Sequence, residues 1–95
     1  MRVRYTRTAL REVEEILRYL ADRNPSAAAA VSARIEQVVA WLGEFPRIGY
    51  AIENDVRILP IGRYPFLIFY TLRSDEVIIR NVRHHARLRP GSENG

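Results

Sequence analysis

Apolar positions recur with a helical period in the first half of this chain. Two stripes share spacings of three or four residues: Leu10, Val13, Leu17 and Leu20 in the first, and Val31, Ile35, Val38 and Leu42 in the second. This spacing places each stripe along one face of an amphipathic helix. The pattern therefore predicts two helices, each with one buried face.

Signals for the start of a helix precede both stripes. Thr8 is the candidate N-cap of the first helix, which we expect to end near Asn24. Asn24 is also placed to cap the second helix, and Pro25 suits its first turn because the missing N–H has no intrahelical partner there. Since the joint is so short, we expect the two helices to form an antiparallel hairpin.

Beyond Gly43, Pro46 and Gly49 the apolar period changes to two. Four segments are predicted as strands: "RVRYT" near the start, then "VRILPI", "PFLIFYTL" and "VIIRNV". The third is apolar on both faces, so it should be an inner strand. The order predicts an α+β fold, β-α-α-β-β-β, with the helical hairpin packed on a three- to four-stranded, mostly antiparallel sheet.

Length and composition narrow the class of protein. A chain of 95 residues has room for one hydrophobic core, so we expect a single domain over residues 1–90 and a mobile tail over 91–95. The first residues lack the apolar segment of a signal peptide, and no apolar run approaches the roughly 18–20 residues of a membrane span. Cysteine is absent. We therefore expect a cytoplasmic protein with no membrane partner.

The positive charge is concentrated toward the end of the chain. All fifteen basic residues counted in the net charge of +4 are arginine, and eight lie in residues 46–95 against five acidic residues. The last predicted strand runs into a cluster without a carboxylate: Arg80, Arg83, His84, His85, Arg87 and Arg89. Together with Arg57 and Arg63, this patch could bind nucleic acid or a carboxylate-rich partner, or be an ordinary solvated edge.

Within that strand, strict alternation would put Val77, Ile79 and Asn81 on one face of the sheet. The other face would then carry Ile78, Arg80 and Val82.

Several kinds of chemistry find no support in the sequence. His84 and His85 are adjacent, so on a strand they point to opposite faces and cannot share one metal ion. Glu12, Glu14 and Glu15 are interpreted as the solvated face of the first helix. No glycine-rich phosphate loop and no serine nucleophile motif occurs. We therefore expect neither a metal nor a cofactor.

Four segments in order resemble the RelE/ParE superfamily of bacterial toxins from type II toxin-antitoxin pairs. They are "YTRTALREVEEILRYLADRNPSAA", "LGEFPRIGY", "VRILPIGRYPFLIFYTL" and "VIIRNVRHHAR", and together they cover nearly the whole chain. The resemblance implies a small toxin that a cognate antitoxin neutralises by wrapping around it. It also implies a target in translation or replication, and indirect contact with DNA through the antitoxin.

The ending "RHHAR" is similar to the "HxxR" ending of the ParE-like branch, with His84 and Arg87 in the matching positions. That branch implies inhibition of DNA gyrase, by trapping its cleaved DNA complex, without catalysis by the toxin. We therefore take Arg83, His84 and Arg87 as the candidate target-binding residues.

The alternative is a RelE-like, ribosome-dependent mRNA endonuclease. For that activity Arg57, Arg63 and His85 are the candidate catalytic residues. Nucleases of the superfamily often keep an arginine just before the tyrosine that ends the central strand, whereas here the apolar run 67–69 precedes Tyr70. The set expected of a nuclease is thus incomplete, which favours the ParE-like branch.

A partner peptide is expected on the surface of the helical hairpin. If Leu17, Leu20, Val31 and Ile35 face the sheet, small and aromatic side chains remain for the antitoxin. The candidate antitoxin-binding residues are Tyr19, Ala28 and Trp41.

Overall fold

A computed structural model of the protein describes residues 1–85. Its elements are β1 (Arg2–Tyr5), α1 (Arg7–Arg23), α2 (Pro25–Glu44), β2 (Tyr50–Ala51), a 3-10 turn (Glu53–Asp55), β3 (Val56–Pro60), β4 (Phe66–Arg73) and β5 (Glu76–His84). The α+β class and the predicted order of elements are confirmed, with β2 as an additional strand. Two residues are too few for an alternating pattern to reveal a strand. The expected domain end at residue 90 and the tail 91–95 lie outside the described residues.

Helix α1 begins earlier than predicted, and Thr6 rather than Thr8 is its N-cap. The Thr6 hydroxyl accepts a hydrogen bond from the Ala9 amide at 3.0 Å. The same residue is anchored to the sheet, because its amide donates to the Ile79 carbonyl and its hydroxyl to the Arg80 carbonyl. Thr6, which joins β1 to α1, is thus held in position by its hydrogen bonds to β5.

The joint between the helices is a single residue, as the cap signals predicted. The Asn24 amide donates to the Leu20 carbonyl and closes α1, while its side-chain oxygen accepts from the Ala27 amide at 3.1 Å and opens α2. Pro25 occupies the first turn of α2. One residue therefore satisfies backbone groups at the ends of both helices.

The buried stripe of α2 is confirmed, and that of α1 is wrong only at its first position. All four predicted positions of α2 are buried: Val31, Ile35, Val38 and Leu42. Leu10 of α1 was expected in the core and is instead 49% exposed, whereas Ala9 is fully buried. The face of α1 that meets the core runs from Ala9 to Leu20 and includes Val13, Ile16 and Leu17.

The sheet has five strands in the order β1-β5-β4-β3-β2. Strands β1 and β5 pair in parallel, and the other three pairs are antiparallel. Strand β4 is an inner strand, as its apolar run predicted, and Ile68 and Tyr70 on it are fully buried beneath the helices. Neither helix of the described chain is long and apolar enough to cross a membrane.

Strand β5 does not alternate strictly, because a bulge interrupts it at Arg80. Ile79 pairs with Tyr70 and Asn81 pairs with Phe69, which leaves Arg80 without an opposite residue. Val82 consequently returns to the helix side of the sheet and is buried there. The expectation that Arg80 and Val82 share the face opposite Ile79 is therefore wrong for Val82.

Candidate functional site

The end of β5 projects beyond its parallel partner β1 and is held by a carboxylate from α1. Glu12 accepts three hydrogen bonds there: from the Val82 amide at 2.9 Å, from the Asn81 side-chain amide at 3.2 Å and from Arg83 Nε at 3.3 Å. We call these four residues the Glu12 cluster. The carboxylate takes the place that a further strand would have, because it accepts from a backbone amide at the open edge.

This geometry corrects two expectations. Glu12 is not part of a solvated helix face, since its side chain is 21% exposed and bonded to β5. Arg83 is not a cation without an internal counterion, because it forms an ion pair with Glu12. Its side chain nevertheless remains 45% exposed. The ion pair therefore orients the guanidinium while leaving part of it accessible.

The two histidines lie in different surroundings. The His84 ring meets the Phe66 ring edge-on, with centroids 5.5 Å apart and an interplanar angle of 90°. The His85 amide donates to the Pro65 carbonyl at 2.7 Å. Its side chain lines an apolar groove of about 480 Å³ between β2 and the start of β4. No group of metal-ligating side chains occurs among residues 1–85. Arg87, the third candidate target-binding residue, lies outside the described residues.

Arg57 lies on β3, and its side chain binds the loop that connects α2 to β2. Its Nη1 donates to the Gly49 carbonyl at 2.8 Å and to the Arg47 carbonyl at 3.2 Å. Tyr70 binds the same loop from below: its hydroxyl accepts from the Gly49 amide at 2.9 Å and donates to the Pro46 carbonyl at 2.8 Å. These contacts make Arg57 and Tyr70 structural supports of the loop.

The environment of Tyr70 also bears on its chemistry. Burial raises the pKa of the Tyr70 phenol, while the Gly49 amide and the nearby Arg57 charge act in the opposite direction. At neutral pH the hydroxyl is thus protonated and engaged in two hydrogen bonds. Arg63 is exposed on the β3–β4 turn and His85 lines the apolar groove, so the three candidates for nuclease chemistry occupy three separate surroundings.

The candidate antitoxin-binding residues differ in accessibility. Tyr19 is 57% exposed on α1, and the Arg23 guanidinium stacks over its ring at 3.7 Å. Trp41 is half-buried, and Arg34 lies over its ring at 4.9 Å. Ala28 is half-buried and stands one helical turn before Val31, on the stripe that turns toward the core.

Sequence reasoning missed the parts played by Glu12 and Arg34. The contact of Glu12 spans about 70 positions of the chain, and nothing near it in sequence signals its partner. Arg34 could have been noticed from its spacing, because Gln37 and Trp41 lie three and seven residues later on the same helix face.

Comparison with known proteins agrees with this architecture. The family model described as the ParE toxin of the type II toxin-antitoxin system parDE matches residues 3–89. The protein named "Putative toxin Y4kP" from Sinorhizobium fredii (strain NBRC 101917 / NGR234) is 35% identical over 85 residues, which is 88% of either chain. A chain of the structure "Chromosomal ParDE TA system from P. aeruginosa" has the same fold, with a TM-score of 0.77 at 23% identity over 88% of this chain and 95% of that one.

The family model and the curated relative, which match most of this helical hairpin and five-stranded sheet, identify a small toxin of a type II toxin-antitoxin pair. The chain belongs to the ParE toxin family. A cognate antitoxin is accordingly its partner.

Proposed function

We propose that this toxin inhibits DNA gyrase by binding and trapping the cleaved DNA complex of the enzyme, and that the toxin itself catalyses no reaction. Arg83, His84 and Arg87 form the target-binding surface. Because gyrase acts in the cytoplasm, the toxin would act there too. Outside the gyrase complex, the toxin would contact DNA indirectly, through the antitoxin.

The observation that carries this proposal is the way the Glu12 cluster presents Arg83. The guanidinium is tethered through Nε, so its orientation is restricted while nearly half of the side chain remains accessible. His84 is likewise restrained against Phe66. Charged groups that are held in place before binding lose little side-chain entropy when a partner arrives. Such a surface suits recognition of a large anionic or polar target.

The surroundings of the nuclease candidates support binding rather than catalysis. Attack by a ribose 2′-hydroxyl on its own phosphate needs a general base, typically worth about 10²–10⁴-fold, and a cation near the phosphate, worth about 10²–10³-fold. Two donor contacts of Arg57 go to backbone carbonyls, and the Tyr70 hydroxyl is committed to the same loop. The Tyr70 residue is fully buried, and Arg57 already uses its Nη1 to bind the loop.

A supercoiling assay with purified gyrase tests the proposal. Wild-type toxin should inhibit supercoiling and increase the amount of cleaved DNA recovered with gyrase. A variant with Arg83→Ala, His84→Ala and Arg87→Ala should lose both effects and still fold, because neither Arg83 nor His84 belongs to the buried core. An Arg73→Ala variant, which removes an exposed cation at the far end of β4, is the matched control and should inhibit like the wild type.

A second variant separates charge from geometry, since Arg87→Lys keeps the charge but loses the planar fork of donors. Retained inhibition would mean that charge suffices.

The competing activity is tested in a translating extract: codon-positioned mRNA cleavage by the toxin, with gyrase unaffected, would overturn the proposal in favour of the RelE-like reaction.

We also propose that the antitoxin contacts the helical hairpin through Tyr19, Ala28 and Trp41. Tyr19 is exposed and Trp41 is half-buried, and aromatic rings stacked by arginine are frequent anchors of protein interfaces. Coexpression with the antitoxin should yield a complex on size exclusion that Tyr19→Ala and Trp41→Ala weaken. Unchanged affinity in both variants would direct the search to the open face of the sheet.

A further inference from the structure

An open groove of about 620 Å³ lies between α2 and the turn that joins β3 to β4. Its lining combines small, polar and cationic side chains: Ala30, Ala33, Arg34, Gln37, Arg63 and Tyr64. The turn is well defined, because the Ile61 amide donates to the Phe66 carbonyl and the Tyr64 amide to the Ile61 carbonyl, both at 3.1 Å. Two guanidinium groups, from elements far apart in sequence, therefore share one concave surface.

The Arg34 guanidinium is held in place on three sides. Its Cζ atom lies over the Trp41 ring, 4.9 Å from the ring centroid, and its Nη1 donates to Gln37 Oε1 at 2.6 Å. On the third side it packs against Gly62, where an added Cβ atom would come within 2.8 Å of Arg34 Nη2. Gly62 also has a φ of +57°, which a side chain would strain. Glycine at this position thus suits both the turn and the close approach of the arginine.

These two cations have no carboxylate partner among the residues that the structure describes. The ion pairs within residues 1–85 join Arg4 to Glu76 and Arg83 to Glu12, so neither lies in the groove. Two positive groups facing one concavity repel each other, and an oxyanion between them would relieve that repulsion. Gln37 accepts from Nη1 of Arg34, and a carboxylate in the groove could accept charge-assisted hydrogen bonds from guanidinium N–H groups of Arg34 and Arg63.

The surrounding charge favours a single acidic side chain over a nucleic acid. A nucleic-acid strand needs a row of cations along its phosphates. Helix α2 instead carries Arg34 as its one basic residue, against Glu36 and Glu44. Ala30 and Ala33 add an apolar wall, and Trp41, Tyr64 and arginine are residue types that dominate binding energy in protein interfaces.

We propose that this groove binds an aspartate or glutamate side chain from the toxin-binding segment of the antitoxin, with Arg34 and Arg63 as its ligands. The inference rests on the antitoxin contact proposed above and extends it from the helical hairpin to the β3–β4 turn. The carboxylate would lie beside Trp41, so that one peptide segment reaches the aromatic ring and the cationic groove together.

The test measures how fast full-length toxin variants associate with and dissociate from the cognate antitoxin, immobilised on a sensor surface, at two salt concentrations. Arg34→Ala and Arg63→Ala should each weaken binding about tenfold or more, mainly by faster dissociation, because each leaves the carboxylate with a single partner. Arg73→Ala makes the same charge change outside the groove and should alter the affinity less than about twofold. The salt dependence should be shallower in the two groove variants.

Gly62→Ala provides a test that leaves the net charge intact. The new Cβ atom would displace the Arg34 guanidinium, so binding should weaken as in Arg34→Ala, and combining the two changes should add little. If Gly62→Ala proves unstable, Arg63→Ala still decides the matter, since Arg63 is exposed on the turn.

Normal affinity in both arginine variants would overturn the groove assignment and leave the hairpin contact standing. A wild-type toxin that failed to bind its antitoxin would overturn the antitoxin contact itself, and this inference with it. Binding of a fluorescent 20-nucleotide DNA, single- or double-stranded, that is lost in both Arg34→Ala and Arg63→Ala would assign the groove to nucleic acid instead.

Discussion

Replacing Glu12 with alanine tests whether one carboxylate holds the end of β5. The change removes the acceptor for three donors, on Asn81, Val82 and Arg83. Glu14→Ala is the matched control, because Glu14 is exposed on the same helix and makes none of these bonds. Both variants lose one negative charge and gain one alanine in α1, so they differ mainly in the contact with β5.

The Val82 amide accounts for most of the expected loss. Its bond to Glu12 is 2.9 Å long, partly buried and made to a charged acceptor, which is typically worth roughly 1.5–3 kcal/mol. The contacts of Asn81 and Arg83 are longer and reach more exposed groups, so each adds roughly 0.2–1 kcal/mol. Because water can reach the freed donors at the strand edge, we expect Glu12→Ala to lower the free energy of unfolding by about 2–3 kcal/mol.

Urea denaturation followed by circular dichroism measures this loss, and thermal melting checks it. In a domain of this size 1 kcal/mol shifts the melting temperature by about 4–8 °C, so a fall of at least about 8 °C is expected. Glu12→Gln keeps a neutral acceptor for Val82 and should lose only about 1 kcal/mol. If Glu12→Ala and Glu14→Ala were equally stable, Glu12 would be a solvated side chain, and the restraint on Arg83 would be lost as a support for the gyrase proposal.

Tyr70→Phe should cost about 1–3 kcal/mol in urea denaturation, because the Gly49 amide loses its buried acceptor; an unchanged midpoint would show that water replaces the hydroxyl. Burial raises the pKa of Tyr70 above the unfolded value of about 10, so its contribution is complete below pH 10 and is lost as pH rises further. Wild-type stability should therefore fall more steeply above pH 10 than that of Tyr70→Phe, and parallel profiles would contradict this. Asn24→Ala should cost about 1 kcal/mol through the lost cap on Ala27, with Asn24→Ser nearly neutral; equal melting temperatures for all three would refute the capping role.

Local sequence determined the elements of this fold because the relevant interactions are short in range. Asn24 and Pro25 specify the helical joint through bonds within four residues. The spacing of apolar residues in α2 and the unbroken apolar run of β4 identify which faces must leave water, and both predictions are confirmed. The same segments, in order, were sufficient to recognise the toxin superfamily.

The candidate sites depended on tertiary structure. Thr6, rather than Thr8, caps α1 and is bonded to β5, and Leu10 is exposed while Ala9 is buried. The bulge at Arg80 changed the face of Val82, which strict alternation could not indicate.

The contacts that orient the charged side chains join residues that are even farther apart in the sequence. Arg83 meets Glu12 across 71 positions, and Arg34 meets Gly62 and shares its groove with Arg63. The spacing of apolar residues shows which face of a helix or strand is buried. It does not show which charged side chains of two different elements come into contact. That pairing follows from strand register and from the parallel pairing of β1 with β5, and these exist only once the whole sheet has formed.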